Sequence, residues 1–194
     1  MAKRPLLEAE EVEVRDRTEL RAWLASNHAR AGGVWLVSGK KASGHYLPYE
    51  EIVRECLAWG WVDSLARAKD ATRSMLWISP RKRGSNWSGV NKRHVEALEA
   101  AGEMQAPGHA AVERAKADGT WSALDRVEAL EVPEDLAAAL DALGARATWD
   151  GFPRSVRRGV LEALLNAKRA ETRAAKVAAV AEATARGERP LQWR

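Results

Sequence analysis

The stretch Trp61-Val62-Asp63-Ser64-Leu65-Ala66-Arg67-Ala68-Lys69-Asp70-Ala71-Thr72-Arg73-Ser74-Met75-Leu76-Trp77-Ile78-Ser79 decides the fold class. Two strand-like runs, 61–66 and 73–79, flank a polar turn around Lys69 and Asp70, the pattern of a β-hairpin. Pro80 ends the second run, because proline has no N–H to give to a ladder. Working outward towards the N-terminus, Glu11-Val12-Glu13-Val14 alternates with the period of a half-buried strand, behind a leader at 1–10 that is expected to fray. Thr18 can cap a helix running to about Ala31, with Leu20, Trp23 and Leu24 on one face and Gly32-Gly33 as its stop. Val34-Trp35-Leu36-Val37 is apolar on both faces and predicts a strand buried on both sides. A loop from Ser38 to His45 leads to a helix opened by Pro48, with Ile52, Val53, Cys56 and Leu57 on its core face and Gly60 as its C-terminal cap.

Towards the C-terminus, the basic loop Arg81-Lys82-Arg83-Gly84-Ser85 precedes a helix in which Val90, His94 and Leu98 recur at four-residue spacing, closed by Gly102. Pro107-Gly108 opens another helix, through Val112 and Ala115 to Asp118-Gly119. Beyond residue 122 strand signals vanish, and Leu136, Leu140, Leu143, Val156, Val160, Leu164, Val177 and Val180 follow helical register. Gly151-Phe152-Pro153 separates two of these helices, and Gly187 with Pro190 ends the last. The expected fold class is α+β: a small, mostly antiparallel sheet with packed helices in a domain over 1–121, then an all-helical C-terminal subdomain over 122–194.

Composition narrows the function classes. With 46% hydrophobic and 30% charged residues in 194, the chain is ordinary globular material. No run of 18 apolar residues occurs, and the N-terminus turns acidic at Glu8 before an export signal's apolar core can form, so a cytoplasmic location without membrane insertion is expected. A single cysteine, Cys56, excludes an internal disulfide and any cysteine-rich zinc site. Net charge is only +4, yet the pI of about 9.4 points towards polyanion partners. Nine of the twelve aromatic residues are tryptophan, which reads first as core filler in place of phenylalanine and second as a binding surface.

The segment richest in chemistry spans residues 80–93. Arg81, Lys82, Arg83, Lys92 and Arg93 surround Ser85, Asn86, Trp87, Ser88 and Asn91 at a loop-to-helix junction. A helix N-terminus offers unpaired N–H groups and partial positive charge, hydroxyls and amides add donors, and Arg or Lys neutralises phosphate. An adjacent tryptophan could stack on a base or sugar. The structural reading of the same residues is a solvated basic loop, an N-cap and a core anchor. The loop carrying Lys40 lacks the spacing of a phosphate-binding P-loop, but Lys40 can join the basic rim if both loops lie at one end of the sheet. Asp63, flanked by tryptophans, is the carboxylate to watch, with a hairpin ion pair as its structural alternative. The four histidines are scattered, His94 falls on a core stripe, and no metal-binding or nucleophile motif occurs, so no catalytic residue, metal or cofactor is expected.

Three runs in order resemble the YdeI/OmpD-associated (bacteriocin-protection) family: Gly60-Trp61-Val62-Asp63, then Pro80-Arg81-Lys82-Arg83-Gly84-Ser85-Asn86-Trp87-Ser88-Gly89-Val90-Asn91-Lys92, then Ala167-Lys168-Arg169-Ala170-Glu171-Thr172-Arg173. Shorter matches, among them Ala115-Lys116-Ala117-Asp118-Gly119-Thr120-Trp121, extend the resemblance over about residues 30–185. It implies a role in stress or bacteriocin resistance and no particular reaction. Three functions are therefore expected, in this order: a non-enzymatic binding protein whose basic loop takes an anionic, phosphate-bearing ligand or nucleic acid; a protein-interaction factor using exposed tryptophans and the basic helical tail; and an enzyme of unknown reaction.

Overall fold

The structure, a computed structural model, describes residues 9–190. Most of the expected leader and Trp193 fall outside that range. The chain divides into two compact units, Met1–Trp121 and Ser122–Arg194.

The first unit is an α+β fold on a four-stranded sheet. In chain order it contains β1 (Glu11–Glu13), α1 (Arg17–Asn27), β2 (Val34–Gly39), α2 (Tyr49–Ala58), β3 (Trp61–Ala68), β4 (Arg73–Pro80), α3 (Gly89–Ala100) and α4 (Ala106–Ala117). The strand order is β1-β2-β4-β3, and only β1 and β2 run parallel, joined through α1. β2 and β3 each pair antiparallel with β4, so the hairpin read from residues 61–79 forms two of the four strands. A register shift between Asp63 and Ala66 interrupts the β3–β4 ladder. β2 is buried on both faces, as its apolar run requires. Val34 and Leu36 meet the helices, while Trp35 packs edge-on against Trp77 at 5.4 Å and is covered by the Arg67 guanidinium.

Two details of the helices differ from expectation. Asp16, not Thr18, caps α1: its carboxylate accepts from the Glu19 N–H at 2.9 Å, and Glu19 reaches back to the Arg15 N–H at 2.8 Å. In α3 the buried residues are Val95 and Leu98, whereas Val90 is half exposed. At 100° per residue, Val95 and Leu98 sit one above the other, and Val90 falls off that face.

α2 is the central helix. Ile52 and Cys56 pack towards the sheet and α1, while Val53, Leu57 and Ala58 pack against α3 and α4. Between these faces Glu55, wholly buried, accepts from Arg17 (2.5 Å) and from both Nε and Nη2 of Arg21 (3.1 and 2.9 Å) on α1. Arg17 continues to Glu103 at 2.5 Å, so one ion network ties α1 and α2 to the turn before α4. Gly60 leaves the C-terminal end of α2 with φ +73°, a left-handed conformation that glycine adopts without penalty. Gly108 lets α4 approach there: a Cβ on it would stand 2.2 Å from the Ala58 carbonyl oxygen.

The second unit is helical throughout its described residues: α5 (Asp125–Glu128), α6 (Glu134–Ala142), α7 (Arg146–Asp150), α8 (Arg154–Leu165) and α9 (Ala170–Ala185). Leu136, Leu140, Trp149, Val160, Leu164 and Val180 form its core. Arg173 on α9 grips Asp135 with Nε and Nη2 (2.6 and 3.0 Å) and donates Nη1 to the Leu164 carbonyl at the end of α8 (3.0 Å). That fork gives the Ala167-to-Arg173 run a structural role. No helix among the described residues is long and apolar enough to cross a membrane.

Gly108→Ala is expected to lower the stability of the first unit by about 1–3 kcal/mol, because backbone rather than a movable side chain fills the space. Gly32→Ala, whose Cβ meets nothing within 4 Å, is expected to stay within about 0.5 kcal/mol. Urea midpoints of the two variants check the contrast.

Candidate functional site

The basic segment begins where β4 ends. The Arg81 N–H donates to the Gly60 carbonyl at 2.9 Å, which fixes the start of the loop to the beginning of the hairpin. The next residues turn sharply: the Ser85 N–H bonds back to the Lys82 carbonyl at 3.3 Å, and Gly84 takes φ +73°. Lys82 and Arg83 are exposed on this turn. Trp87 re-enters the core at 1% exposure, its N–H donating to the Thr120 carbonyl at 3.3 Å. Ser88 then caps α3 by accepting from the Asn91 N–H at 3.2 Å.

Arg81 is only 8% exposed. Its guanidinium lies 3.7 Å from the centre of the Trp87 ring, and Nη2 donates to the Asn86 carbonyl at 2.5 Å. Nε and Nη1 are buried without a hydrogen-bond partner among the described residues. Burial pulls the Arg81 pKa down to about 10, against the opposing charge of Asp63. Buried polar groups are nearly always satisfied, so two donors left open on a buried cation mark a place where an acceptor belongs.

Arg81 lines a narrow cleft. One wall is the turn from Arg81 to Ser85, and the other is the C-terminal end of α4 with Arg114, Asp118 and Thr120. Its volume is about 10 Å³, room for one oxygen-sized atom. Four cationic side chains (Arg81, Lys82, Arg83 and Arg114) face a single carboxylate, Asp118. Asp118 holds the two walls together by accepting from the Thr120 hydroxyl (2.5 Å) and N–H (3.1 Å) and from the Gly84 N–H. These bonds, that to the Thr120 hydroxyl foremost, keep its carboxyl below the usual carboxylate range.

The sequence reading of this segment is corrected at several residues. Trp87 offers no stacking face, because Arg81 covers one side and Trp121 packs at 5.0 Å. Lys92 lies over the ring of Trp121 instead of beside the loop. The N-terminus of α3 is not part of the cleft, its Asn91 N–H being taken by Ser88. Asn91 instead lines a separate open concavity with Tyr49, Val53, Val90 and His94. Lys40 stands at the far end of the sheet: its N–H bonds to Thr72 and its Nζ to Asp70 before β4 begins, whereas Arg81 follows the end of that strand. The two basic loops therefore do not share a rim. Asp63 accepts from the Tyr49 hydroxyl at 2.7 Å, and burial together with that bond pushes the Tyr49 pKa up to about 12.

Arg114, Asp118 and Thr120 were not singled out from sequence, although Ala115-to-Trp121 stood among the matched runs. Their spacing at the C-terminal end of α4 and in the turn after it says nothing of the loop they face. Among the described tryptophans, Trp23, Trp59, Trp77 and Trp121 are half-buried and the others are buried. Much of the basic tail is paired internally, as Arg158 with Glu128 and Glu162 and Arg173 with Asp135 show. No group of three or more potential metal ligands occurs among the described residues.

Residues 12–111 match the model of a family described as Domain of unknown function (DUF8412), and residues 129–187 match that of the family described as Bacteriocin-protection, YdeI or OmpD-Associated. The second is the family that the sequence runs resembled, and the match lies within the helical unit. No curated protein and no solved structure matches the chain.

Because its folded carboxyl pKa is lowered, Asp118 contributes tethering that is complete above about 3.9, the unfolded value, and is lost as pH falls through the folded one. In an NMR titration the Gly84 amide is expected to shift only below that value, and Asp118→Asn is expected to abolish the step. A Gly84 shift centred at or above about 4 would contradict the tether.

Proposed function

The chain belongs to the family described as Domain of unknown function (DUF8412), and from the basic cleft at the end of its sheet we propose that it is a binding protein whose loop 81–85, with Arg114 across the cleft, takes an anionic ligand. The observation that carries this reading is Arg81: a buried guanidinium with two N–H-bearing nitrogens unpartnered among the described residues, in a cleft rimmed by three further cations. An anion accepting from Nε or Nη1 would satisfy donors that the fold leaves open and offset a buried charge that is costly alone. Lys82 and Arg83 are exposed enough to draw the ligand in, and their contribution falls with added salt. The match of the helical unit to the bacteriocin-protection family supports a protective, stress-related setting for this binding.

Tryptophan fluorescence provides the assay, since Trp87 and Trp121 adjoin the site. Inorganic phosphate and single- and double-stranded oligonucleotides, each titrated at low and physiological salt, are expected to include at least one saturable, salt-weakened binder. Its affinity is expected to drop about tenfold in Lys82→Ala/Arg83→Ala, in line with the loss of two phosphate-neutralising charges. If none of the probes binds at low salt, the reading fails.

A further inference from the structure

Building on the anion-binding reading, we propose that the group recognised is a terminal phosphate monoester held end-on, with one oxygen in the cleft on Arg81, and not the phosphodiester backbone of a nucleic acid. Three observations narrow the ligand. The first is size. With room for one oxygen-sized atom and Arg81 only 8% exposed, its guanidinium is approached from the cleft only by an atom that projects from its parent group. A diester projects two non-bridging oxygens and a terminal phosphate three, so with one oxygen in the cleft the monoester keeps two for Lys82, Arg83, Ser85 or Arg114 at the rim and the diester one.

The second is the lack of a stacking platform. Binding of single strands draws much of its energy from bases laid on aromatic faces. Here Trp87 lies between Arg81 and Trp121, and Trp121 carries Lys92 and Lys116 at 5.5 and 5.8 Å from its ring centre. The three cations and two indoles form one closed stack. It holds the loop in place and leaves no face for a base.

The third is charge placement. The Asp118 carboxylate stands in the wall of the cleft, fixed there by Thr120 and Gly84. It repels a continuous backbone running past the site, but a doubly charged group held at one point can be turned towards the cations. A monoester carries nearly two charges at neutral pH against one for a diester, so it gains more from this arrangement.

Ribose 5-phosphate, inorganic phosphate and the dinucleoside monophosphate dTpdT, which has no terminal phosphate, are compared at constant ionic strength. The readout is the Arg81 Nε–H resonance together with tryptophan fluorescence. A second arm uses one oligonucleotide with and without its 5′-phosphate and separates a small-molecule source from a nucleic-acid end. Ribose 5-phosphate is expected to bind at least tenfold more tightly than dTpdT and to shift the Arg81 Nε–H signal. The 5′-phosphate is expected to raise oligonucleotide affinity by a similar factor. Arg81→Lys is expected to abolish the preference; because Arg81 packs on Trp87, Arg114→Ala on the rim is the second variant, with a several-fold loss expected for the monoester alone. Equal, salt-sensitive binding of monoester and diester would overturn the end-on inference while leaving anion binding intact. Binding of neither would overturn both.

Discussion

The first unit depends on one constraint, the burial of α2 on nearly all sides with a carboxylate inside it. Ile52 and Cys56 face the sheet, Val53, Leu57 and Ala58 face α3 and α4, and Glu55 lies at 0% exposure. A carboxylate so placed is tolerable only when cations reach it, and Arg17 and Arg21 do so from α1. Both arginines keep a third or more of their side-chain surface in water, so the pairing costs less desolvation than a fully buried one. The helix is thereby fixed in rotation as well as position, since turning it would carry the charge into hydrocarbon. Gly60 and Gly108 follow from the same crowding, one turning the chain into β3 and the other admitting α4.

What α2 positions, the basic loop uses. Two residues, Trp59 and Gly60, separate α2 from β3, and the Gly60 carbonyl holds the N–H of Arg81. Burial of Trp87 then draws Arg81 inward, because the guanidinium lies flat on the indole face. The stack stabilises the cation through the ring but leaves Nε and Nη1 without acceptors among the described residues. Packing and binding are thus linked through one side chain: the contact that orders the loop also prepares its open donors.

The helical unit uses arginine differently. Arg173 and Arg158 spend their donors on Asp135, Glu128, Glu162 and the Leu164 carbonyl, so these cations join helices. Excess basic charge in a sequence therefore says little about binding until the partners are known. In this chain, charges that read alike include helix ties such as Arg158 and Arg173 in the tail and, in the cleft, Arg81 with two nitrogens unpartnered among the described residues.

Local periodicity was enough for several features. The apolar run Val34-Trp35-Leu36-Val37 determined a strand buried on both faces, and the two runs around Lys69-Asp70 determined the hairpin and hence an α+β sheet. The loss of strand signals after residue 122 marked the helical composition of the tail. These are properties of neighbouring residues, and backbone geometry converts them directly into structure. The segment 80–92 could be identified as basic in the same way, but its function depends on contacts distant in sequence. Only the tertiary structure placed Arg114, Asp118 and Thr120 against the loop, turned Trp87 inwards, and sent Lys40 to the other end of β4. The antiparallel pairing of β2 with β4 separates the two basic loops, and an interior too densely packed for an indole and a guanidinium to lie apart stacks Arg81 on Trp87.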